Sequence, residues 1–315
     1  MKAMVLKQFG GVDNFVVRET LMPQVSKGKV LIEVKAIGIN PIDLKTREGN
    51  GQASQYKDAR NIIIGWDVAG VITGIADDVK TFKIGDEVFG TINFPGQGGA
   101  YAEYALAPAD QIIKKPSNIS MQEAAAATLS TLTAWQALID AGHIEKGNRV
   151  LVHGGAGGVG NYAIQIAKHT GCYVITTASA SDTDFVKSIG ADEVIDYKTQ
   201  KFEEMVSDID FILDTVGGEN FVRSLKVLKP EGTIVLLPSN RKAEADKVAK
   251  DQDIKNYKHI LVHSDGEDMS HIAEMLANGS LKVHVDKTFV FDKIPEAHMA
   301  LEDGKIKGKI VITLP

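Results

Sequence analysis

The chain has 315 residues, of which 44% are hydrophobic and 24% charged, a composition that excludes disordered and fibrous classes. Its formal net charge of −6 argues against nucleic-acid or anionic-membrane binding, which needs a basic footprint. The single cysteine, Cys172, excludes an internal disulfide and any Cys-x-x-Cys zinc site. At roughly 150 residues per domain the length predicts about two domains. The start, Met1-Lys2-Ala3-Met4-Val5, has no basic-then-apolar leader, and no apolar run reaches the roughly 18 residues of a membrane span. The expectation is a cytoplasmic, reduced protein.

The first third reads as β. Residues 29–36 alternate, placing Val30, Ile32, Val34 and Ala36 on one face. Short apolar runs follow at 68–75 and 87–92, punctuated by glycines, and predict a barrel-like or sandwich-like module. Residues 49–61 are polar and aperiodic and predict a mobile surface loop.

Near residue 120 the texture changes. Ser120 and Glu123 form a capping box that opens an alanine-rich stretch, predicting one long helix over 124–141. From 149 onward β and α alternate. Strands are expected at 149–153, 172–177, 193–195, 211–214, 233–237 and 259–263, with helices at 160–170, 184–189 and 219–228. Near-continuous apolar strands suit a parallel sheet covered on both faces, and six of them match a dinucleotide-binding domain. The tail breaks this alternation, with a helix at 270–278, a strand at 288–291, a helix at 295–302 and a strand at 309–313. It is expected to return to the first module and bring the chain ends together.

The strongest local signal is His153-Gly154-Gly155-Ala156-Gly157-Gly158-Val159-Gly160. Gly155, Gly157 and Gly160 give G-x-G-x-x-G between a strand and a helix. They serve a tight turn, close backbone approach to a pyrophosphate, and close helix packing. Backbone N–H groups around Ala156, Gly158 and Val159 and the helix dipole receive the phosphates. NAD and NADP are separated near the end of the second strand. The segment Thr176-Thr177-Ala178-Ser179-Ala180-Ser181-Asp182 has no carboxylate at the strand end, and its serines suit a 2′-phosphate. Asp182 and Asp184 oppose that, and the same stretch also suits a helix N-cap. The reading is NADPH, with Thr177 and Ser179 toward the adenosine ribose.

These features lie in a wider pattern. Gly65-Trp66-Asp67-Val68-Ala69-Gly70, Phe82-Lys83-Ile84-Gly85-Asp86-Glu87-Val88-Phe89-Gly90, Gly99-Ala100-Tyr101-Ala102-Glu103-Tyr104, Leu132-Thr133-Ala134-Trp135-Gln136-Ala137-Leu138, Gly190-Ala191-Asp192-Glu193-Val194-Ile195-Asp196-Tyr197 and Gly308-Lys309-Ile310-Val311 resemble the medium-chain dehydrogenase/reductase superfamily in order and spacing. Asn40-Pro41-Ile42-Asp43-Leu44-Lys45-Thr46-Arg47 is similar to the N-P-x-D-x-K-x-R segment of its zinc-independent quinone oxidoreductases and alkenal/enone reductases. The resemblance implies a Rossmann doubly wound parallel sheet (122–263) inserted into a GroES-like β-rich substrate domain (1–121 and 264–315). It also implies a nicotinamide in an interdomain cleft, and a homodimer joined at the Rossmann sheet edge near 259–263. It further places Thr133 at the nicotinamide pocket and Tyr197 near the 2′-phosphate.

Where zinc members carry a cysteine and a Gly-His-Glu segment, this chain has Asn40 and Gly65-Trp66-Asp67, so no metal is expected. The eight histidines show no ligand spacing and read as surface or structural residues. Without a metal to polarise an alcohol, the easier reaction is hydride transfer from NADPH to a quinone or an α,β-unsaturated carbonyl. Asn40 is the candidate for orienting the carbonyl or the nicotinamide ribose, Lys45 for donating to the oxyanion, and Tyr56 for supplying a proton. Val216 and Gly217, in the loop after the fourth strand, are expected to line the cofactor site, and Arg241 to supply positive charge for the 2′-phosphate. The alternatives are an enoyl-thioester reductase and a low-turnover NADPH-binding protein with a structural or regulatory role. A small-molecule substrate and no nucleic-acid or membrane partner complete the expectation.

Overall fold

The computed structural model describes residues 1–57 and 61–315. The chain divides into two compact units, one made of Met1–Leu132, Val262–Gly279 and Val283–Pro315, the other of Thr133–Leu261 and Ser280–Lys282.

The first unit opens with an antiparallel pair, β1 (Lys2–Leu6) and β2 (Phe15–Glu19), which the sequence pattern did not single out. Then come β3 (Lys29–Ile39), α1 (Pro41–Arg47), β4 (Asp67–Ile75), β5 (Glu87–Thr91), β6 (Tyr104–Pro108), β7 (Ile112–Lys114), α2 (Met121–Ala126) and the start of α3 (Leu129–Trp135). The second unit holds β8 (Arg149–His153), α4 (Gly158–Thr170), β9 (Tyr173–Ala178), α5 (Thr183–Ser188), β10 (Glu193–Asp196) and α6 (Phe202–Met205). It continues with β11 (Ile209–Asp214), α7 (Glu219–Ser224), β12 (Leu228–Leu236), α8 (Lys242–Asp251) and β13 (Tyr257–His259). The chain returns to the first unit with α9 (Gly266–Ala277), β14 (Val285–Val290), α10 (Ile294–Glu302) and β15 (Lys309–Thr313).

The sheet of the first unit runs β14-β15-β3-β4-β5-β7, with β6 also paired to β3. The tail strand β15 lies antiparallel to β3, Ile310 opposite Ile39 and Thr313 opposite Ala36. The alternation read in 29–36 is realised: Val30, Ile32, Val34 and Ala36 are buried on one face. The alternation stops at Ile37–Ile39, which are buried throughout because α2 packs on β3, β4 and β15 there. The second sheet runs β10-β9-β8-β11-β12-β13 with every pairing parallel. This is the doubly wound order with its switch point at β8, where ligands enter at the carboxyl ends of the strands. The fold is therefore a Rossmann sheet together with a GroES-like β-rich unit.

Several expectations are corrected. The helix expected over 124–141 is three pieces: α2, α3, and a π-helical segment Gln136–Ala141. The break has a polar cause. The backbone N–H of Leu129 donates to the Asp67 carboxylate (3.1 Å) and Thr128 Oγ1 bonds Ala125 O (2.9 Å), so a new helix starts at 129. Residues 122–132, which the resemblance placed in the dinucleotide-binding domain, belong to the first unit, because Ala124, Ala125 and Ala126 are buried against its sheet. The helix expected over 219–228 ends at Ser224, and the strand after it starts at Leu228, well before 233. The sixth strand is shorter and earlier than 259–263, at Tyr257–His259. Within 49–61, residues 58–60 lie outside the described residues. The described part is not aperiodic throughout: Ala53–Tyr56 form a 3₁₀ turn with Gln52, Ala53 and Tyr56 buried.

Candidate active site

The first unit carries a cluster of buried polar side chains. Asn40 lies between β3 and α1 as the N-cap of the helix, Asp67 starts β4, Thr91 ends β5, Ser130 lies in the first turn of α3, and Lys309 starts β15. Asp67 Oδ1 accepts from Thr91 Oγ1 (3.1 Å) and Leu129 N (3.1 Å), and Oδ2 accepts from Asn40 Nδ2 (2.7 Å). The Lys309 ammonium lies 3.7 Å from Asp67 Oδ2 and donates to Ile39 O (3.1 Å), Ser130 Oγ (3.1 Å) and Asn40 Oδ1. Ser130 Oγ also meets Asn40 Oδ1 at 3.3 Å. Burial pushes the Lys309 ammonium below the ordinary lysine range, and the Asp67 and Asp43 carboxylates oppose the shift. A buried carboxylate needs such compensation.

Asp43, one turn into α1, extends the cluster. Its Oδ2 accepts from Asn40 N (2.8 Å), which caps the helix. Burial and the neighbouring Asp67 push the Asp43 carboxyl up to about 7, against the Asn40 N–H, Lys309 and the Tyr101 hydroxyl. Tyr101 OH meets His298 Nε2 at 2.9 Å, and burial next to Arg47 holds that imidazole down at about 3. Arg47 is nearly fully buried, donating from Nε to Gly10 O (3.0 Å) and pairing with Glu302 at 2.6 Å. Its guanidinium therefore fixes the end of α1.

The second unit presents the glycine loop after β8. A Cβ on Gly155 would lie 2.1 Å from Thr176 Oγ1, and one on Gly160 would lie 2.2 Å from Gly154 O. Only bare backbone fits at either position. Gly157 is the N-cap of α4, so the first-turn N–H groups of that 13-residue helix have no acceptor within it. This cradle fits a dinucleotide pyrophosphate.

The expected site residues fall into three groups. In the second unit, Gly155 and Gly160 are buried, Ala156, Gly157, Gly158 and Val159 are half-buried, and Val216 is exposed beside buried Gly217. Thr133 and Thr177 are buried, and Thr177 Oγ1 accepts from Gly154 N (3.1 Å). Ser179 Oγ donates to the Asp182 carboxylate (2.5 Å) and meets Ser181 Oγ (2.8 Å), so the acid that opposes a 2′-phosphate touches the serine that would bind it. Tyr197 and Arg241 are exposed, the latter 3.7 Å from Glu244. In the first unit, Lys45 is half-buried on α1, and among the described residues its ammonium has no polar partner.

Two catalytic candidates are engaged inside the fold. Asn40 is fully buried, with its Nδ2 donating to Asp67 and its Oδ1 accepting from Lys309 and Ser130, so in this structure its amide is engaged within the cluster. Tyr56 is buried, its hydroxyl accepting from Gly98 N (2.8 Å) and reaching Ile63 O (3.4 Å). Desolvation pushes that phenol far up, and its two bonds make it a pin between two loops. Sequence reasoning missed Lys309 and Ser130. The signal for Lys309 was a charge opening the otherwise apolar Ile310-Val311-Ile312 strand; Ser130 gave none.

Zinc does not fit here. Trp66 offers no ligand atom, its indole N–H donating to Gly96 O (3.1 Å), and the Asn40 and Asp67 oxygens are already committed to an ammonium.

Comparison with known proteins agrees with this geometry. A family model described as alcohol dehydrogenase GroES-like domain matches residues 26–117, and one described as zinc-binding dehydrogenase matches residues 189–312. The chain is 35% identical to the 2-methylene-furan-3-one reductase of Solanum lycopersicum over 99% of its own length and 79% of that protein. It is 31% identical to an NADPH-dependent alkenal/one oxidoreductase, chloroplastic, of Arabidopsis thaliana, over 99% of this chain and 79% of that one. The solved quinone oxidoreductase from Coxiella burnetii superposes with a TM-score of 0.94 at 35% identity, covering 100% of this chain and 99% of that one. The chain belongs to the medium-chain dehydrogenase/reductase superfamily, in the group of the quinone oxidoreductases and alkenal/one reductases, and is a nicotinamide-dependent oxidoreductase.

Two outcomes test the cluster. Lys309→Met strands the Asp67 carboxylate and should cost about 3–5 kcal/mol in denaturant unfolding, part of which Asp67→Asn in the same chain restores. Asp43 gives a pH signature. The folded chain keeps its proton up to about 7, whereas the free carboxyl releases it near 3.8. The stabilising proton is thus fully present at low pH and lost as pH rises toward the folded value. Asp43→Asn removes this loss, so its melting temperature should gain on the wild type between about pH 4 and about pH 8. A constant difference would reject it.

Proposed function

We propose that this chain is an NADPH-dependent, zinc-independent reductase of quinones or α,β-unsaturated carbonyl compounds. The observation that carries the reading is the Lys309 ammonium held among Asn40, Asp67 and Ser130. A fixed, buried charge stands with the residues that align with zinc ligands elsewhere in the superfamily. It cannot ligate an alcohol, so the acceptor must already be activated. The names of the relatives, an enone reductase and an alkenal/one oxidoreductase, support that substrate class.

A bound NADPH supplies the hydride. The glycine loop and the first turn of α4 hold the pyrophosphate, with Val216, Gly217 and Thr133 lining the nicotinamide side. Arg241 and Tyr197 supply the exposed cation and hydroxyl for the 2′-phosphate, since Ser179 is engaged with Asp182. Lys45 donates to the acceptor oxygen as negative charge develops there. Its helix is anchored at one end by Asn40 and Asp43 and at the other by Arg47, so the backbone that carries the donor is fixed. The outer strand β13 leaves backbone groups open for pairing with a second copy, and the proposal includes a homodimer through that edge. It also includes a cytoplasmic setting, which suits the single buried Cys172.

The test is a steady-state screen of quinones, enones and enoyl thioesters with NADPH. Turnover of quinones or enones above thioesters is expected; turnover of thioesters alone, or of nothing, would overturn the reading. Lys45→Ala should lower kcat by about a hundredfold with NADPH binding retained, and an unchanged kcat removes Lys45 from the reaction. NADPH should bind at least about tenfold more tightly than NADH through the Arg241 contact, and equal dissociation constants would reject the NADPH assignment.

A further inference from the structure

His153 closes β8, directly before the glycine loop, and has no exposure to solvent. Its ring packs on Phe202 with centroids 4.6 Å apart. Nδ1 lies 3.2 Å from Thr177 Oγ1, and Nε2 lies 3.0 Å from Ser224 Oγ. The surrounding bonds determine the direction of each contact. Ser224 Oγ donates to Asn220 O (2.7 Å), so its hydrogen is used and it accepts from His153 Nε2–H. Burial holds the ring neutral, down at about 4, against the pull of Asp214 and with the push of Arg223. Nδ1 is therefore an acceptor and takes the Thr177 hydroxyl hydrogen, while Thr177 Oγ1 accepts from Gly154 N (3.1 Å).

The result is one directional chain: Gly154 N–H to Thr177 Oγ1–H to His153, then His153 Nε2–H to Ser224 Oγ–H to Asn220 O. It continues structurally at both ends. Asn220 Nδ2 donates to Asp214 Oδ1 (3.1 Å), which also accepts from Val216 N (2.9 Å) and Gly217 N (2.9 Å). Thr215 Oγ1 donates to His153 O (2.8 Å). The groups so joined sit at the carboxyl ends of β8, β9 and β11, three adjacent strands of the parallel sheet. Those ends are where an open parallel sheet takes its ligand.

We infer that His153 is a positioning residue for dinucleotide binding, its two ring nitrogens setting the glycine loop, the Thr177 end of β9 and the Asp214–Gly217 turn in one fixed arrangement before the ligand arrives. The ring suits this because one side chain supplies a donor and an acceptor at opposite ends, and preorganised loops bind with less ordering cost. The inference rests on the dinucleotide reading of the glycine loop.

The test compares NADPH dissociation constants, from fluorescence titration of the full chain, for the wild type, His153→Phe, His153→Gln and Ser224→Ala. His153→Phe keeps the ring packing and loses both hydrogen bonds, and should weaken binding about tenfold. Ser224→Ala removes only the far acceptor and should weaken it about threefold. His153→Gln, which can donate and accept, should recover part of the loss. The KM for NADPH should rise while the KM for the acceptor holds, and amide exchange at Gly154 in the ligand-free protein should quicken in Ser224→Ala. A residue that only stabilises the core would lower the melting temperature and leave these readouts unmoved. Dissociation constants within about twofold of wild type in both His153→Phe and Ser224→Ala overturn the inference. If His153→Phe fails to fold, Ser224→Ala decides alone. A wild-type chain that binds neither NADPH nor NADH overturns the dinucleotide reading itself.

Discussion

A carboxylate enclosed in a protein interior must find its counter-charge and its donors within the fold, and Asp67 is such a carboxylate. Lys309, Asn40, Thr91 and the backbone of Leu129 meet it from four separate stretches of chain. The requirement explains several features at once. It brings the last strand beside the third, since the ammonium at the head of β15 can reach the carboxylate only from there. It interrupts the alanine-rich helix, because a fresh helix start supplies the N–H that the carboxylate takes. It also commits Asn40, which leaves Lys45 as the polar group of α1 without a polar partner among the described residues. Removing any one partner leaves a buried charge or dipole unpaired, and the penalty for that exceeds the worth of an ordinary surface pair.

The second unit solves a related problem without a buried ion pair. Strands that run parallel leave a row of backbone and side-chain groups at their carboxyl ends. Here hydroxyls, an imidazole and one aspartate link those ends to each other. Asp214 Oδ1 takes three donors from its own turn, and His153 joins the loops on either side. The glycine loop thereby rests on a hydrogen-bonded base, and the N–H groups of α4 face outward with no internal acceptor to compete for them.

Much of this was legible in the sequence. The alternation in β3, the capping box at Ser120 and the glycine spacing after β8 each express a local rule of period, cap or close approach, and each was realised. The internal partners that the pattern did not announce share a cause. Tyr56 looked like a free hydroxyl in a polar loop, but its bonds go to Gly98 and Ile63, partners that no local pattern announces. Asn40 looked like a ligand-facing amide because its neighbours in sequence are those of an active-site segment. Its true neighbours, Asp67 and Lys309, lie 27 and 269 residues away along the chain. Lys309 itself was hidden among the lysines around it.

By itself, the sequence determined the class of fold, the dinucleotide loop and the absence of cysteine and histidine where a zinc dehydrogenase needs them. Those follow from residue type and short-range spacing, which sterics and helix or strand periodicity fix locally. Only the tertiary structure decided which polar side chains are spent on holding the fold and which remain for chemistry. That depends on burial and on pairings across long separations, because a polar group becomes structural only when the folded chain has removed its water and supplied a partner in its place.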